Sequence, residues 1–308
     1  MKRIDIFLGT KCNNNCIFCI SKPDSLNEEL SLDDAKINLL NGFNDGCREV
    51  HFTGSEPTIR SDFLKIISLA KQIGFEKIKI TTNGRMFSYP SFCKRSVASG
   101  LTGIIFSLHG HISSLHDSLT CTKGSFNELI SGIKNIKKYN LVMETNTTIV
   151  KQNLNYLSDI ADLLVSFNLN SSELIYVHPQ GNAYINYNKI VPSLSELDVP
   201  LQKAIQIGAK NNKLILSRYV PYCHLGKFVK YASENYEPLE VEQIGTGFFT
   251  KDARKDRQNL GMKKALKCVI CKYYLVCMGV HKEHNVKNDE FVPVAGSNIK
   301  TRDELLNG

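Results

Sequence analysis

Along the first 220 residues, short apolar runs alternate with longer stretches in which apolar positions recur at helical spacing. RIDIFLG (3–9), REVHFTG (48–54), KIKITTNG (77–84) and GIIFSLHG (103–110) read as strands. LVMETNTTIV (141–150), ELIYVHP (173–179) and KLILSRYV (213–220) continue the series. Helices are predicted at 32–43, 62–73, 91–99 and 194–210, with further helical-period stretches before the fifth and sixth strands. Such alternation implies right-handed crossovers and an α/β fold, a parallel sheet covered by helices. Six or seven units fit either a doubly wound sheet or an open partial barrel. Periodicity alone does not choose.

Five polar loops directly follow strands: TKCNNNC, TGSEP, TTNG, SLHGH and HPQGNA. All are therefore expected at the carboxyl edge of the sheet, where such folds place their sites. After about residue 220 the character changes to charged, irregular sequence and then KCVICKYYLVCMGVH. The reading is a core of residues 1–217 and a smaller appended domain, 218–308.

With 42% hydrophobic and 22% charged residues, the composition suits a soluble globular chain. No apolar run reaches the roughly 18 to 20 residues that cross a bilayer, and MKRIDIFLG is too short for a secretory signal. Neither a membrane association nor secretion is expected. The predicted location is cytoplasmic, where ten cysteines stay reduced unless they hold metal. The charge of +8 is spread along the chain, and its densest stretch, 251–267, is diluted by Asp252 and Asp256. A solvated face explains it better than a nucleic-acid surface.

Cys12, Cys16 and Cys19 lie in a loop after the first strand. Three thiols are too few for a closed zinc site and odd for disulfides. They can wrap three corners of an iron–sulfur cubane and leave one iron open to a small chelate. This Cys-x3-Cys-x2-Cys loop, with Phe18 inside it, resembles the signature of radical S-adenosylmethionine (radical SAM) enzymes. The resemblance implies a partial (β/α)6 barrel of TIM type. It also implies a 4Fe–4S cluster whose open iron binds S-adenosylmethionine, generating a 5′-deoxyadenosyl radical, and an electron donor of flavodoxin or ferredoxin type. Gly54, Ser55, Glu56 and Pro57 resemble the family's second motif, with Ser55 where a second glycine is usual. Asn83, Ser107 and Asn146 fall where relatives hold the ribose and methionine parts of the cofactor.

Cys268, Cys271 and Cys277 form a Cys-x2-Cys-x5-Cys run, with Cys223 upstream. A structural zinc site usually pairs two Cys-x2-Cys hairpins, and this set contains only one such pair. The set resembles the auxiliary-cluster domains of twitch and SPASM type, implying a second 4Fe–4S cluster. His281 stands where the longer type has a further cysteine. Cys47 and Cys93 are expected to be buried apolar residues. Cys121, in HDSLTCTKG, is read as a loop thiol above the rim that can donate a hydrogen atom to a substrate radical. His109 and His178, at the ends of the fourth and sixth strands, are the histidines best placed to meet substrate, with His109 a candidate catalytic group.

The expected chemistry is hydrogen abstraction from an unreactive C–H bond. The substrate is expected to be a small precursor peptide undergoing cross-linking, oxidation or epimerisation. The alternative is a sugar, nucleotide or alcohol undergoing oxidation or cyclisation. The first strand begins almost at the start of the sequence, which leaves no room for a fused leader-binding domain and weakens the peptide reading. A metal-bound scaffold without catalysis is the remote alternative.

Overall fold

The computed structural model describes residues 2–20, 28–238 and 240–307. Seven strands follow the predicted order: β1 (Arg3–Phe7), β2 (Glu49–Thr53), β3 (Lys77–Thr82), β4 (Gly103–Ser107), β5 (Val142–Ile149), β6 (Ser171–Tyr176) and β7 (Ile215–Arg218). They are parallel, and neighbours in sequence are neighbours in the sheet. A doubly wound sheet reverses its strand order at a switch point. This one never does, so every crossover lays its helix on the same face and the sheet curls into an open barrel wall. The partial barrel is the observed architecture.

Strand periodicity assigns the two faces. Ile4, Ile6, Val50, Phe52, Ile78, Ile80, Ile104 and Phe106 face the helices and are at most 2% exposed. Each contributes about 1.5–3 kcal/mol by burial. The covering helices include α1 (Leu32–Asn44), α2 (Phe63–Ile73) and α3 (Pro90–Ser99). Ser31 caps α1 by accepting from the Asp34 amide at 3.0 Å, while α2 and α3 stop on left-handed Gly74 and Gly100. The alternate strand positions carry Arg3, Asp5, His51, Lys79, Glu144 and Glu173, and line a lumen of about 640 Å³.

The structure adds two features. The first part of HDSLTCTKG, read as loop, belongs to helix α4 (Ser113–Thr120), and Cys121 is its left-handed C-cap, φ 50°. The predicted division at 217/218 falls at the end of β7, but the later chain returns to the sheet. There β8 (Val241–Gly245) pairs in parallel with β1, and β9 (Phe248–Thr250) adds antiparallel to β8. Beyond them β10 (Met262–Lys263) and β11 (Val280–His281) form a small antiparallel pair. Among the described residues, no helix is long and apolar enough to cross a membrane.

Candidate active site

The cysteine loop leaves β1 at the carboxyl rim and is held from three sides. From the β3 side, Asn83 Nδ2 donates to Asn13 Oδ1 at 2.6 Å, and Arg85 donates to Asn14 Oδ1 at 3.1 Å and to the Asn13 carbonyl. From α4, the Thr120 and Leu119 carbonyls accept from the Asn15 and Ile17 amides, both at 3.0 Å. From the loop after β6, Asn182 and Asn186 donate to the Cys16 and Ile17 carbonyls, again at 3.0 Å. The asparagine run between the first two cysteines is therefore part of the hydrogen-bonded frame. Burial pushes the Cys12 and Cys16 thiols up, and for each the neighbouring loop cysteines add to the rise. Crowded thiols that resist ionisation suit a cationic cluster, which ligates them as thiolates.

The second motif is locked against this loop. Gly54 has φ 90°, and a Cβ there would sit 2.9 Å from the Gly9 carbonyl oxygen, so only glycine fits. Ser55 is also left-handed, φ 42°, and its hydroxyl donates to the Thr10 carbonyl at 2.8 Å. Glu56 is 2% exposed. Its carboxylate accepts from the Thr58 amide at 3.1 Å, the Thr82 hydroxyl at 2.7 Å and the Asn83 amide at 2.6 Å, and also from the Thr58 hydroxyl. Burial raises its pKa while these donors pull it back. Pro57 opens the short turn Pro57–Ile59 that Glu56 caps. Glu56 thereby fixes the backbone from which Asn83 reaches the cysteine loop.

Ser107 and Asn146 are paired in the β4–β5 register, and Asn146 lines the lumen. His109 is 5% exposed, and its Nδ1 accepts from the Thr148 amide at 3.2 Å. Its ring meets Phe18 edge-on at 4.6 Å, and burial keeps it neutral. This places His109 behind the cysteine loop. Cys121 is exposed beside the same loop and is not among the residues lining the lumen. Cys47 and Cys93 are buried apolar residues, 0% and 1% exposed.

Cys223, Cys268, Cys271 and Cys277 line one cavity with Tyr222, Tyr273, Phe291 and Pro293. Burial raises the Cys223 thiol to about 12, and raises Cys268 and Cys277 as well. Backbone amides of Val294 and Gly279 point at the sulfurs of Cys271 and Cys277 at 3.3 and 3.4 Å. Four soft donors with amide–sulfur hydrogen bonds in an apolar wall suit a second iron–sulfur cluster.

Arg85, Asn182 and Asn186 were not singled out from the sequence. Their signal was faint: an arginine just after TTNG, and asparagines in and after HPQGNA.

The profile of the radical SAM superfamily matches residues 6–164. A "Probable GTP 3',8-cyclase" of Sulfurisphaera tokodaii is 28% identical over 225 residues, covering 69% of this chain and 71% of that protein. SuiB of Streptococcus suis, solved bound to precursor peptide SuiA, aligns over 87% of this chain and 68% of its own, with TM-score 0.65 and 15% identity. Methylornithine synthase aligns over 88% and 80%, with TM-score 0.58 and 14% identity. At these identities the two structures speak for the fold alone. The family match spans just over half the sequence and contains the three-cysteine loop, so the chain belongs to the radical SAM superfamily and is an iron–sulfur enzyme.

Proposed function

We propose that this enzyme uses two 4Fe–4S clusters and S-adenosylmethionine to abstract hydrogen from a peptide or peptide-like substrate held in the barrel lumen. When bound, the first cluster and its ligand supply the 5′-deoxyadenosyl radical. Cys12, Cys16 and Cys19 hold that cluster, and the Gly54–Pro57 backbone with Asn83, Ser107 and Asn146 holds the cofactor. His109 positions Phe18 and so the loop. Residues 218–308 act as a twitch/SPASM-like domain whose four cysteines hold the auxiliary cluster. A flavodoxin- or ferredoxin-type protein delivers the electron.

The charge balance of the lumen carries the substrate reading. Arg3 pairs with Asp5 at 2.7 Å, Lys79 with Glu144 at 3.1 Å, and Arg218 and Arg257 with Glu237 at 2.8 and 3.0 Å. Arg218 also pairs with Glu173 at 3.3 Å, so four carboxylates neutralise these four cations, and among the described residues Lys77 is the one lining cation without an ion pair. A nucleoside triphosphate brings several negative charges and needs unpaired cations to meet them. A peptide segment, with donors and acceptors in equal number, suits paired walls. The small-molecule reading is favoured by the likeness to the probable GTP 3',8-cyclase of S. tokodaii, and it is tested directly. Reconstituted enzyme is given reductant, S-adenosylmethionine and either GTP or synthetic peptides from short neighbouring reading frames. Stimulated 5′-deoxyadenosine with a mass change in a peptide supports the proposal. A cyclised nucleotide defeats it.

A further inference from the structure

We propose that His178, His281 and Glu283 bind a divalent transition-metal ion of the zinc or ferrous class at the mouth of the lumen, separate from both cysteine sets. Each offers one donor atom, and the three donors lie within 4.8 Å of one another. His178 comes from the loop after β6, while His281 and Glu283 come from the end of β11 and just beyond it. An ion here would tie the barrel rim to the C-terminal segment.

The two imidazoles stack with centroids 3.6 Å apart and planes 8° from parallel. Parallel stacked rings cannot both aim an in-plane lone pair at one ion, so loading the site requires one imidazole to turn about its side-chain torsions until the donors converge. His281 is 4% exposed, yet its Nε2 has no hydrogen-bond partner, and Glu283 Oε2 has only the His178 ring nitrogen at 3.4 Å. Buried polar atoms seldom go unpaired, and a shared cation satisfies both at once. The other carboxylate oxygen of Glu283 accepts from Gln180 at 3.2 Å, which orients it as outer partners orient metal ligands. Arg218 and Arg257, which act on His281, are neutralised by Glu173 and Glu237. The His178 and Glu283 side chains keep 23% and 22% exposure, and Tyr219 bridges from His281, at 4.4 Å, to the lumen wall. The ion would thus keep an open position, fitted to a carboxylate or carbonyl oxygen of a substrate. The competing arrangement is a plain ion pair between protonated His178 and Glu283, 3.4 Å apart.

The test uses full-length enzyme with both cysteine sets loaded with iron–sulfur cluster, so that thiols do not compete. Zinc chloride is added, excess is removed by gel filtration, and zinc is quantified and examined by X-ray absorption. The proposal predicts about one zinc per chain, with a nitrogen/oxygen shell near 2.0–2.1 Å. Retention should fall at least tenfold in His281→Ala and Glu283→Ala with iron content unchanged. Absent zinc, a sulfur shell near 2.3 Å, or equal retention in the variants overturns it. Should His281→Ala also lose iron, Glu283→Ala decides, because its side chain is part-exposed.

Discussion

The side-chain amide of Asn182 donates to the carbonyl of Cys16 at 3.0 Å, joining residues 166 apart in sequence. Through this bond the rim loop after β6 holds the rim loop after β1. Asn182→Ala removes one donor from a part-buried carbonyl, a loss of about 1 kcal/mol. The loop should then open about fivefold more readily, by the usual conversion of free energy to equilibrium constant. Iron release to a chelator should accelerate by a similar factor, and Asn182→Asp should be worse because a carboxylate faces the carbonyl.

Ser55 separates two opposing terms. Its left-handed backbone costs about 1–2 kcal/mol for a residue with a Cβ, and its hydroxyl bond to Thr10 returns about 1 kcal/mol. Ser55→Gly relieves the first and loses the second, so unfolding stability should stay within about 1 kcal/mol of wild type. Ser55→Ala keeps the strain and loses the bond, and should destabilise by about 1 kcal/mol. Denaturant unfolding of the three proteins checks the order.

Glu237 gives a pH signature. Although burial opposes it, Arg218 and Arg257 lower its pKa from 4.5 to about 2, and its side chain is only 2% exposed. A depressed acid stabilises the fold above its unfolded pKa and loses that contribution as pH falls toward the folded one. The window is therefore about pH 4.5 down to about 2, worth about 3 kcal/mol. Glu237→Gln should be destabilised most at neutral pH, and the gap to wild type should close across that window. A pH-independent gap contradicts the ion-pair account.

Cys121 lies beside the cysteine loop rather than on the lumen wall. Cys121→Ala should therefore give normal product in heavy water with unchanged solvent deuterium. Loss of an inverted product, with 5′-deoxyadenosine still formed, would assign the thiol as hydrogen donor.

The seven strands and the rim position of the motifs were legible because apolar periodicity and strand–helix alternation are local signals. Winding in one direction was not, since strand order depends on pairing between distant segments. The polar lumen was written in RIDIF, EVHFT and KIKIT, where charged or polar residues alternate with isoleucine, valine and phenylalanine. Strands buried on both faces are near-continuously apolar, so this alternation already marked one face as wet. β8 is not legible in the sequence because VEQIG has too few apolar positions to stand out without β1 beside it. Asn182 and Asn186 could not be read as loop clamps, because nothing local ties them to Cys16 and Ile17.

The most direct test of the two-cluster account is reductive cleavage of S-adenosylmethionine by wild type, Cys16→Ala and Cys271→Ala, each reconstituted anaerobically and given dithionite without substrate. The account predicts 5′-deoxyadenosine from wild type, none from Cys16→Ala, and continued formation by Cys271→Ala with about half the iron. Cleavage that survives in Cys16→Ala, or that disappears in Cys271→Ala while its first cluster is intact, contradicts it.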